Sequence, residues 1–143
     1  MTSMLERSAR IVDGTDNAPI GLKVTVDATP VEEVAPGIGV IESFSNVVVF
    51  NTDDGLTLFD VSHGMAAKSV VASLRSWSND RVNTAVYTHG HTDHVGGAGA
   101  FNADATRRAD RPIQYVAHEA VVDRFDRYKL TNGYNGYINM RQF

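Results

Sequence analysis

The sequence predicts an α/β fold, a mixed sheet flanked by helices. Three observations carry this. Between residues 37 and 62, short β-branched runs follow one another with turn residues between them, the pattern of consecutive antiparallel strands. After residue 63 the apolar spacing changes from alternation to a helical period. From there strand-like and helix-like segments alternate, which calls for a sheet with helices packed on it.

Taken in order, residues 1–19 are polar and turn-rich and read as a flexible N-terminal arm. GLKVTVDA, residues 21–28, alternates like a short strand. Pro30 and Pro36-Gly37 bracket VEEVA, and GIGVIESF, SNVVVFNT and GLTLFDVS follow as strands. Asp53-Asp54-Gly55 is a hairpin turn. In residues 64–78, Ala67, Val70, Val71, Leu74 and Trp77 recur at helical spacing and predict an amphipathic helix ending near Ser78-Asn79. VNTAVYT is the next strand, and VGGAGAF opens a short helix. Residues 102–112, NADATRRADRP, read as a polar loop before the strand PIQYVA. HEAVVDRFDRY returns to helical period with Val121, Val122, Phe125 and Tyr128 near one face. The tail TNGYNGYINMRQF has no clear period and reads as a loop, or as a segment cut before its natural end.

Composition narrows the function classes. The chain has 143 residues, 43% apolar and 21% charged, enough for one domain with a real core. A net charge of −4 gives no electrostatic case for nucleic acid. The densest basic cluster, Arg107, Arg108 and Arg111, is interrupted by Asp110 and reads as a solvated loop. No apolar run reaches the length of a membrane span, and the N-terminus lacks the apolar core of a signal peptide, so a cytoplasmic location is expected. There is no cysteine, so a transition-metal site must use imidazole and carboxylate.

The chain has five histidines, and three of them, with one aspartate, fall in the six positions His89-Gly90-His91-Thr92-Asp93-His94. On an extended segment residues i and i+2 face the same side, so His89 and His91 can pinch one ion. Asp93 and His94 come after the chain begins to turn and face a second point nearby. Two ions about 3.5–4 Å apart make a two-metal hydrolytic site. The segment follows a strand in an α/β layout, where ligand sites collect beyond strand ends. Three imidazoles this close are costly to keep together if protonated, which argues against an ordinary polar loop.

This segment resembles the HxHxDH motif of the metallo-β-lactamase superfamily. The likeness runs from about Val31 to Phe143 and includes GLTLFDVS, similar to the family strand that ends in an aspartate, here Asp60. YTHGHTDHVGG with AHEAVVDRFDRY and TNGYNGYIN looks most like the branch that holds alkyl sulfatases. The resemblance implies the N-terminal half of an αββα sandwich over residues 20–143, cut before the second half. It implies that His89 and His91 bind one divalent ion and Asp93 and His94 another, most simply Zn2+, with Fe or Mn as alternatives. Asp60 would hold a ligand histidine from behind, and Asp93 would also take a proton from the nucleophile. The implied activity is hydrolysis by a metal-activated hydroxide, on sulfate or carboxylic esters of small molecules.

The remaining family ligands come from the second half, and only one histidine, His118, follows His94. His118 is a candidate ligand, site-lining or capping residue, His63 a candidate near the metals or an exposed turn residue, and Tyr134, Asn135 and Tyr137 candidates for the substrate pocket. The alternative is a non-catalytic half-domain that binds metal weakly and needs a partner, either a second copy in a homodimer or a complementary C-terminal half. A redox role with a di-iron site and a flavin partner has nothing in the sequence to call for it.

Overall fold

The computed structural model describes residues 3–16 and 27–142. Six strands form one sheet in chain order: β1 (Glu32–Ala35), β2 (Ile38–Ile41), β3 (Val47–Thr52), β4 (Gly55–Phe59), β5 (Val82–Val86) and β6 (Gln114–Val116). The first four pair antiparallel, and β4, β5 and β6 are parallel. The mixed sheet expected from the sequence is therefore present. Asp53-Asp54 makes the tight turn between β3 and β4, with Thr52 paired to Gly55.

Parallel neighbours need crossovers, and the sequence supplies helices for them. Helix α2 (Ala67–Trp77) links β4 to β5, and α3 (Thr92–Val95) with α4 (Ala98–Arg107) links β5 to β6. The strands advance in one direction, so two crossovers of the same hand place both helices on one face. The core forms there. Ile41, Val47, Val49, Leu56, Leu58 and Ala85 of the sheet pack against Val70, Val71 and Leu74 of α2 and Phe101 and Ala105 of α4. Ala67, Val70, Val71 and Leu74 are buried as their spacing predicts, and Trp77 is half-buried beside Gly39.

The opposite face has no such cover among the described residues. Val40, Val48, Phe59, Val86 and Val116 stand in one row across five strands. Phe59 is 37% exposed and Val116 44%.

Three sequence expectations are corrected. Residues 1–19, expected as a flexible arm, contain helix α1 (Met4–Val12). Ser3 Oγ accepts the Glu6 N–H at 3.1 Å and the Glu6 carboxylate accepts the Ser3 N–H at 2.9 Å, a reciprocal cap that nucleates the helix. Arg7 pairs with Glu42 and ties the helix to the domain. Residues 17–19 of that arm, and residues 21–26 of the strand expected over 21–28, lie outside the described residues. Residues 102–107, read as loop, continue α4, because Phe101, Asp104 and Ala105 form a buried helical stripe. The tail, read as loop, continues the final helix α5 (Ala120–Gln142). Its exposed Gly133 and Gly136 weaken a helix by about 1 kcal/mol each relative to alanine, which hid the signal. Pairs three or four residues apart support it, Lys129 Nζ to Asp126 at 2.7 Å and Asn135 Nδ2 to Thr131 Oγ1 at 2.9 Å.

One polar contact locks the helical layer. Asp104 is 2% exposed and accepts from Arg75 Nε at 2.7 Å and from Arg107. Arg75 also donates to the carbonyl of Asp80 at 2.6 Å, beyond the end of α2. Asp104→Ala strands the largely buried Arg75 and is expected to cost about 3 kcal/mol in urea unfolding. Arg107→Ala, which removes a mostly exposed partner, is expected to cost about 0.5 kcal/mol or less.

Candidate metal centre

The site lies beyond the C-terminal ends of β4 and β5, where parallel strands leave room for ligands. Two loops meet there. Residues 60–66 follow β4, and residues 87–97 follow β5. They are joined by backbone bonds from Val61 N–H to the His94 carbonyl at 2.8 Å and from Gly97 N–H to the Ser62 carbonyl at 2.9 Å. A Cβ at residue 97 would come within 1.8 Å of the Val61 oxygen, so only glycine lets the loops close.

Asp60 is the hub. It is buried, with φ at 62°, in the left-handed region. That backbone costs roughly 1 kcal/mol, and aspartate tolerates it better than most residues. One carboxylate oxygen accepts the Thr88 N–H at 2.8 Å. The other accepts the Thr88 hydroxyl at 2.7 Å and lies 2.7 Å from His94 Nδ1. The carboxylate is the strongest acceptor near Nδ1, so Nδ1 is the nitrogen that donates to it. Ser45 Oγ is also 3.0 Å from Nδ1. Burial, helped by the Asp60 charge, pushes the neighbouring Tyr87 phenol up to about 12, so it stays neutral.

The other imidazoles gather against His94. The His89 ring centroid lies 4.1 Å from that of His94 and 4.5 Å from that of His91. Thr88 Oγ1 is 2.9 Å from His89 Nδ1. Asp93 Oδ2 lies 3.4 Å from His94 Nε2. Nitrogens of His89 and His94 and a carboxylate oxygen of Asp60 lie within 4.8 Å of one another. The oxygens of Asp60 are already taken by Thr88 and His94, so its geometry suits orientation of His94 rather than ligation. His91 is solvent-exposed, yet its pKa is lowered by residual desolvation first, then by His89 and Arg124, against an opposing pull from Asp93. Neutral imidazole is the metal-binding form. This set of imidazoles and carboxylate fits Zn2+, and fits Fe or Mn with the same donors.

The remaining candidates make local contacts of their own. His118 is exposed, and its Nδ1 accepts the Ala120 N–H at 3.2 Å, which caps the start of α5. His63 accepts the Met65 N–H at 3.1 Å and meets Phe44 edge-on. Tyr134 is 68% exposed on α5, ten residues beyond Arg124, or about 15 Å along the axis. Ser45, Thr88 and Arg124 were not foreseen as parts of the site. Ser45 is 49 residues from His94, and no motif spans that gap. Arg124 lies against the motif, since a Cβ on Gly90 would sit 3.0 Å from its Cβ and Cγ.

Asp60→Asn leaves the size of the side chain unchanged but weakens its hold on the Nδ1 proton. Zn2+ affinity, measured by competition with a chromogenic chelator, is expected to fall about 10- to 100-fold with the circular dichroism spectrum unchanged.

No curated protein sequence matches the chain significantly. Among solved structures, a B3 metallo-β-lactamase with an active-site glutamic acid is 25% identical, covers 59% of this chain and 33% of its own, and has a TM-score of 0.51. MIM-1 from Novosphingobium pentaromativorans is 20% identical, covers 62% and 33%, and has a TM-score of 0.53. A double mutant of the sec-alkyl sulfatase PisA1 is 22% identical, covers 66% and 15%, and has a TM-score of 0.52. The chain thus spans about a third of the length of the lactamases and less of the sulfatase. Residues 40–106 match the sequence profile of the metallo-β-lactamase superfamily. That match and the mixed sheet that carries it lead to one conclusion: residues 40–106 are similar to the metallo-β-lactamase superfamily, and the sheet resembles the N-terminal part of that fold.

Proposed function

We propose that this chain provides the metal-binding wall of a dinuclear metallohydrolase acting on small-molecule esters, sulfate or carboxylic. The observation that supports the reading is the cluster of His89 and His94 at one strand end, with His91 against His89, Asp93 beside His94, and His94 held from behind by Asp60. In this reading His89 and His91 hold one ion, and Asp93 and His94 the other. Two Zn2+ ions there would supply Lewis acidity and bring the pKa of water toward neutrality. Thr88 and Asp60 fix the ring orientations of His89 and His94 in advance. Asp93, at the mouth of the site, takes the proton that the attacking water releases.

A second reading is favoured by one observation, the apolar row with Phe59 and Val116 exposed. In that reading the chain is an incomplete half that binds metal weakly until a partner covers the row. The partner would be a second copy or a complementary C-terminal half. Elemental analysis of the dialysed protein separates the two. Two ions per chain support the dinuclear reading, and well under one ion supports the incomplete half. His91→Ala is expected to reduce ester hydrolysis to background while leaving the fold intact; undiminished turnover by this variant would sink the hydrolase reading.

A further inference from the structure

We infer that Arg124 is the docking residue for an oxyanion group of the substrate, and that the ester this site takes is therefore an anionic one. The inference rests on the metallohydrolase reading above and deepens it. Arg124 sits in the first turns of α5, and its side-chain stem runs over Gly90, between His89 and His91. A side chain at residue 90 would crowd it, so the glycine lets the arginine approach the site. The guanidinium stacks on the Tyr128 ring with its carbon 5.1 Å from the centroid, which fixes its plane.

Its hydrogen bonding is incomplete. Nε is buried with no partner, and Nη2 reaches only the Tyr128 hydroxyl, at a long 3.4 Å. Among the described residues no carboxylate pairs with it, whereas Arg7, Arg75, Arg107 and Arg108 each have one. A buried guanidinium N–H without a partner, here Nε, is costly to keep. It also stands beside imidazoles suited to divalent cations, where a further positive charge is unfavourable. An anion bound between the two would resolve both costs. A planar fork held by an aromatic face is suited to the paired oxygens of sulfate, phosphate or carboxylate.

The test is isothermal titration of the purified protein with inorganic sulfate, inorganic phosphate and acetate, on wild type, Arg124→Met and Arg124→Lys. Arg124→Met keeps the stem over Gly90 and removes the guanidinium from Tyr128. Anion affinity in that variant is expected to fall about 10- to 100-fold, the range a charged hydrogen bond represents. Arg124→Lys is expected to retain part of it, which separates charge from fold loss. The tightest of the three anions identifies the substrate group. A kinetic arm compares p-nitrophenyl sulfate with neutral p-nitrophenyl acetate. Arg124→Met should raise KM for the anionic ester far more than for the neutral ester. Wild type that binds none of the anions, or variants that bind them equally well, overturns the inference. Anion binding lost in Arg124→Met in a protein that hydrolyses nothing would uphold the inference while the hydrolase reading falls.

Discussion

The Asp60 carboxylate is the contact on which the rest of the site depends. It lies at the end of β4, yet it holds Thr88 at the end of β5 and His94 in the turn beyond. Two segments far apart in sequence are thereby joined at one buried acidic group. The same contact makes Nδ1 the donating nitrogen of His94 and so orients the ring. The unusual backbone of Asp60 is the cost of aiming this carboxylate inward rather than along the sheet.

That hub works because the two loops can close on each other. Gly97 lets the backbone after the histidine segment come against Val61, and the bonds Val61–His94 and Gly97–Ser62 tie the two loops together. The layer beneath is rigid for a different reason. Asp104 clamps α4 to Arg75 of α2, so the helices that enter and leave the site share one core. A site on such a base can hold side chains in place before any ligand arrives.

The uncovered sheet face and the long final helix set the context of the site. Both same-handed crossovers use one face, so the row from Val40 to Val116 keeps water as its neighbour among the described residues. Helix α5 carries Leu130 and Met140 nearly fully exposed beyond the part that packs on the site. Patches of this kind mark surfaces that meet another layer or chain.

Much of this was legible in the residues. Alternation and the 3.6-residue period located the strands β2 to β6 and the helix α2, because each buries one face and its apolar positions must repeat at that spacing. The density of His89, His91, Asp93 and His94 pointed to one site, since local chain geometry alone brings such near neighbours together. Short-range capping at Ser3 and Glu6, and helix continuity through Gly133 and Gly136, went unread because weak local propensities were outweighed by contacts the residues themselves do not announce. Only the tertiary structure decided that His94 is the histidine Asp60 holds, that Ser45 joins them, that Arg124 lies over Gly90, and that His118 Nδ1 accepts the Ala120 N–H at the start of α5. The physical reason is the same in each case. Such contacts depend on how strands register and helices cross over, and no spacing along the chain encodes those distances.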